Sequence, residues 1–138
     1  MTASRFSEPP GADYLEAVAQ AALEALPANI RGRLGSVVVR IEDFCTPEVE
    51  AEMGLESPFD LLGLYHGVAL TGKSHTDLPQ GPDMVFLYRR PILDYWCETG
   101  EDLDHLVRHV LIHEIGHHLG FSDEDMERLE AEVGEDGG

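Results

Sequence analysis

Residues 113–123 read His-Glu-Ile-Gly-His-His-Leu-Gly-Phe-Ser-Asp, with three histidines, a glutamate and an aspartate in one short run. His113 and His117 stand four positions apart, so on a helix both imidazoles can reach one metal ion from a single turn. Glu114 does not easily share that ion. It lies beside it, where a carboxylate can take a proton from a water that the ion activates. Two protein ligands leave a zinc ion short of a tight tetrahedral site, so a third is required, with water in the fourth place.

The residues after His117 offer one. Gly120 can take the positive φ that ends a helix and reverses the chain. Asp123 is then placed to swing back to the ion, and oxygen donors of this kind are ordinary zinc ligands. Ser122 and Asp125 also fit a capping box, which would put Asp123 in a first helical turn where the helix dipole favours an acid whatever else it does. Asp125 and Glu127 therefore stay open as alternative third ligands. His118 points away from the His113–His117 pair, His105 and His109 read as solvent-side residues, and the acids from 123 to 136 read as a solvated helix face and tail.

Positioning these groups falls to a simple order of elements. From Asp13, the residues Leu15, Val18, Ala19, Ala22, Leu23 and Leu26 recur at helical spacing, and Pro27 closes that helix. After a turn, Ser36–Phe44 is a β-branched strand. A polar connector with two prolines leads to Leu61–Leu70, a second strand in which Gly63 and Gly67 indicate a bulge or a close backbone approach. Residues 71–82 read as a loop, and Asp83–Arg90 as a third strand in which Arg89 and Arg90 alternate across the sheet. Pro91 ends it and a short helix follows. Thr99 and Asp102 fit a capping box for the next helix, on which Leu103, Leu106, Val107, Val110 and Leu111 share a face. His113, Glu114 and His117 project from the same side, with Ile112, Ile115 and Leu119 opposite. Ionisable groups on a face that should be buried need partners, and a metal supplies one.

The chain has 138 residues, 43% of them hydrophobic and 26% charged, which fits one globular domain. The expected boundaries are a loose tail at 1–12, a domain at 13–133 and an acidic tail at 134–138. With 27 acidic against 9 basic residues the net charge is −18, which argues against nucleic acid or anionic membranes as partners. It favours a neutral or basic ligand. Cys45 and Cys97 have no CxxC partner and read as reduced thiols, and the N-terminus lacks the pattern of a signal peptide, so the expected compartment is the cytoplasm.

The pattern His113-Glu114-x-x-His117-x-x-Gly120-x-x-Asp123 resembles the extended zinc motif of the metzincin side of the zincins. With Leu61–Gly67, Phe86–Leu93 and His113–Met126 in this order, the chain is similar to the small bacterial zincin-like metallopeptidases, the minimal zincins. The resemblance implies an α+β fold, with a small mixed sheet of three to four strands on an N-terminal helix and an active-site helix, and a short C-terminal helix. It implies one Zn²⁺ held by His113, His117 and Asp123, with Glu114 as general base, Gly120 as the turn residue and a peptide or protein substrate. In zincins an edge strand holds extended substrate, so Tyr65 or His66 becomes a candidate to polarise the scissile carbonyl or steady the oxyanion; the other reading places Tyr65 in the core. Larger metzincins carry a methionine turn beneath the metal, whereas here the only later methionine is Met126, expected within a helix. The expected function is zinc-dependent peptide hydrolysis. The alternative is a metal-binding or peptide-binding module that does no chemistry on the same scaffold.

Overall fold

A computed structural model describes residues 9–67 and 83–137, with the side chains of 134–137 left aside. The first helix, α1 (Ala12–Glu24), buries Leu15, Ala19 and Ala22 on one stripe, as the three-and-four spacing requires. Pro27 then starts a new element where a turn was expected. It precedes α2 (Ala28–Leu34), whose Ile30 and Leu34, four apart, are both buried. Two apolar residues on one face give this short helix a reason to form that its polar neighbours hide.

Strand β1 (Val37–Glu42) leads into the stretch expected as a polar connector, which instead holds α3 (Pro47–Met53) and one 3₁₀ turn (Pro58–Asp60). The signals are local. Thr46 caps α3 by accepting from the Val49 amide, Pro47 opens its first turn, and Gly54 closes it in the left-handed region. No residue of α3 is buried, so hydrophobic periodicity could not have found it.

Strand β2 (Gly63–His66) and β3 (Asp83–Tyr88) complete a three-stranded sheet in the order β1-β3-β2. The central strand β3 runs parallel to β1, with Val85 opposite Val39, and antiparallel to β2, with Val85 opposite Tyr65. The fold is therefore α+β around a small, open, mixed sheet. The helix α4 (Arg89–Thr99) begins two residues before Pro91, which sits harmlessly in the first turn. Arg89 and Arg90 consequently lie on a helix start rather than alternating on a strand; Arg89 donates to the Pro10 carbonyl at 2.8 Å and approaches Asp43 at 3.6 Å.

The long helix α5 (Leu103–Leu119) is capped by Asp102, which accepts from the His105 amide at 2.9 Å. Thr99 is not part of that cap: it lies in α4 and donates back to the Tyr95 carbonyl. Leu103, Leu106, Val107, Val110, Leu111, Ile112 and Ile115 are all buried, so α5 forms the middle of the core between the sheet, α1 and α6 (Asp123–Gly137). The backbone of 134–137, expected as a tail, continues α6. From α6, Met126, Leu129 and Val133 are buried. Among the described residues, no helix is long and apolar enough to cross a membrane.

Candidate metal centre and active site

The last two turns of α5 carry the chemistry. Its end is fixed by Gly120, at φ 80°, and by a Schellman closure in which the Phe121 amide donates to the Gly116 carbonyl at 2.8 Å and the Gly120 amide to that of His117 at 3.2 Å. The chain turns directly into α6, opened by the expected capping box: the Asp125 amide donates to Ser122 Oγ at 3.1 Å, and the Ser122 amide to the Asp125 carboxylate at 3.3 Å. Gly116 and Met126 bring the two helices together. A Cβ on Gly116 would lie 2.5 Å from Met126 Sδ, so a larger residue there would require this buried methionine to shift.

On the sheet side, Gly63 of β2 does the same. A Cβ there would lie 2.7 Å from Val110 Cγ1, 3.2 Å from the Phe86 carbonyl oxygen and 3.3 Å from Glu114 Cγ. The close backbone approach expected of Gly63 is the approach of α5 to the sheet. It sets Glu114 against β2, where the backbone amide of Tyr65 donates to its carboxylate. Burial raises the Glu114 pKa above the ordinary carboxylate value, and the neighbouring His117 and the Tyr65 amide only partly offset it. A carboxylate held in this way prefers to carry a proton, as a general base needs to after it has taken one.

The expected site residues are not all gathered together. His113 and Glu114 are partly buried, while His117 and Asp123 are exposed, Asp123 in the first turn of α6. His113 and His117 have their ring centres 6.1 Å apart, edge to face. Tyr65 points its hydroxyl at Asp83, donating at 2.6 Å, and burial with that contact raises its pKa further beyond the physiological range. Its ring stacks on His118 at 4.0 Å, so His118 braces β2 against α5 and faces away from the His113–His117 pair, as expected. His66 is exposed on β2. Residues 71–82, which were expected to form a loop and include His75, lie outside the described residues.

Another constellation escaped the sequence. His109 Nδ1 lies 2.9 Å from Glu130 Oε1, and His113 Nε2 lies 3.1 Å from Glu130 Oε2. The donor atoms of His109, His113 and Glu130 fall within 4.8 Å of one another, the only such set of three that could hold a metal among the described residues. It contains neither His117 nor Asp123. The reading of His109 as a solvent-side residue is thus corrected: it is paired across helices. The available signal was its position four residues before His113, repeating the His113–His117 interval. Burial lowers the His113 pKa first, and the adjacent His109 adds to the effect; Glu130 opposes both.

A family model of zincin-like metallopeptidases matches residues 34–133, from the end of α2 through the last described side chain of α6. The chain belongs to the zincin-like metallopeptidase family. No curated protein matches it. The matched span contains the sheet, α5 with its His-Glu-x-x-His sequence, the Gly120 turn and most of α6, so the zincin-like match and the geometry concern the same part of the molecule. A zinc-dependent peptidase is what this family implies.

Proposed function

We propose that the chain is a zinc-dependent peptidase in which His113, His117 and Asp123 hold the ion and Glu114 is the general base. The observation that carries this reading is the seat of Glu114: on the helix of both histidines, beside His117, partly buried against β2 and held by the Tyr65 amide. The donor types fit zinc, since two imidazoles at helical spacing and one carboxylate are an ordinary ligand set. Asp123 follows the Gly120 turn directly, and its exposed side chain begins α6. When bound, zinc supplies a Lewis acid that activates water and polarises a carbonyl.

The chain's own residues supply the rest. Glu114 Oε accepts the proton of the attacking water and later delivers it to the leaving amine nitrogen. β2 lies at an edge of the sheet among the described residues, which suits an extended peptide pairing by main-chain hydrogen bonds. Tyr65, tied to Asp83 and His118, positions that strand; exposed His66 is the better placed of the two to touch the substrate carbonyl. The charge of −18 favours neutral or basic peptides.

Glu114→Gln tests this reading. Cleavage of a peptide library by the zinc-loaded protein should fall by about 10²- to 10⁴-fold with zinc content unchanged. Full cleavage by that variant, still carrying its zinc, would remove Glu114 from the mechanism. Asp123→Ala should sharply reduce retained zinc.

A further inference from the structure

We propose that His109, His113 and Glu130 form a second divalent transition-metal site, between α5 and α6, that competes with the His113–His117 set for His113. The geometry is already close to what an ion needs. In a tetrahedral zinc site, with bonds of about 2.0–2.1 Å, neighbouring donors stand roughly 3.3 Å apart. Here Glu130 presents one oxygen to each imidazole, 2.9 Å from His109 Nδ1 and 3.1 Å from His113 Nε2. A small opening of the cluster would admit an ion, and two histidines with a glutamate are a donor set that zinc uses elsewhere.

The helices that carry the cluster are anchored in the core, and the cluster is accessible. His109 and His113 share one face of α5, with ring centres 3.9 Å apart. The stretch of α6 that carries Glu130 is anchored by the buried Met126, Leu129 and Val133, while its carboxylate sits on a long side chain that can adjust. The His109 side chain is 43% exposed, so an ion can enter from solvent, whereas Glu130 is only 15% exposed.

Competition follows from the shared residue. An ion held by His113 Nε2 against Glu130 removes that nitrogen from the set containing His117. The second site stands on its own geometry; only the competition rests on the proposed role of His117.

The test is Co²⁺ binding by equilibrium dialysis and visible absorption, on wild type, His117→Ala and His117→Ala/Glu130→Gln, with circular dichroism to check folding. His117→Ala should still bind one Co²⁺ per chain, and adding Glu130→Gln should weaken that binding at least about tenfold. His117→Ala/His109→Ala, which alters a more exposed side chain, should do the same. A His117→Ala protein that binds no Co²⁺ while wild type binds one would overturn the second site and leave the peptidase reading standing. Wild type holding two Co²⁺ ions at once would overturn the competition.

Discussion

The two flanks of α5 are built differently, although both carry polar residues from the same run of sequence. Toward the sheet, Glu114 and His118 meet β2 at close quarters, through Gly63, the Tyr65 amide and the Tyr65 ring, and His118 also approaches Asp83 of β3 at 3.9 Å. Toward α6, His109 and His113 meet a single flexible carboxylate, Glu130, and Gly116 meets the flexible thioether of Met126. One flank sets strand backbone against a stiff β-branched side chain, Val110, and these yield little. The other is backed by long side chains that can yield. A rigid flank suits a base that must stay aimed; an adjustable one suits ligands that must rearrange around an ion.

The contrast is broken or sharpened most strongly at the glycines. Gly63→Ala drives a Cβ into Val110 and close to the Phe86 carbonyl, and should cost about 1–3 kcal/mol in chemical denaturation. Tyr65→Phe comes next. It removes a 2.6 Å hydrogen bond to a carboxylate, and about 1.5 kcal/mol of lost stability is expected on the same measurement. Gly116→Ala should cost less than either. Its new methyl clashes with the Sδ and Cγ atoms of the Met126 side chain and makes an ordinary contact with Phe121 Cβ at 3.6 Å, and alanine regains up to about 1 kcal/mol of helix propensity. Equal losses for Gly63→Ala and Gly116→Ala would erase the distinction between the flanks.

The same contrast explains what could be read in advance. The buried stripe of α5, the Gly120 reversal, the Ser122–Asp125 capping box and the close approach at Gly63 are local patterns, and each is present. The three strands lie within the three short runs read as strands, whereas a mixed sheet was implied by the family resemblance and not by those runs. What stayed hidden was carried by pairs distant in sequence. Glu130 looked like one acid among many until α6 folded back and set it against His109 and His113. α3 was missed because it buries nothing, leaving only its cap and proline as signals. The start of α4 was misjudged because Pro91 was read as a stop, when a proline in a first helical turn costs no hydrogen bond.

The smallest expected effect is also the one that isolates Glu114. Burial raises its pKa above 4.5, so folding favours the protonated carboxyl. Well below pH 4.5 the group carries its proton in both the folded and unfolded chain, and its ionisation does not affect stability. As pH rises from 4.5 towards the raised pKa, the unfolded chain gives up this proton while the folded protein keeps it, and stability falls until the folded carboxyl has ionised as well. Glu114→Gln keeps the shape of the neutral form and an oxygen for the Tyr65 amide, but cannot ionise. In metal-free protein its Tm should therefore match wild type near pH 4 and exceed it near pH 7.5. A Tm difference that is the same at both pH values would mean that the carboxylate is not held by burial, and the sheet flank would lose the rigidity that separates it from the flank facing α6.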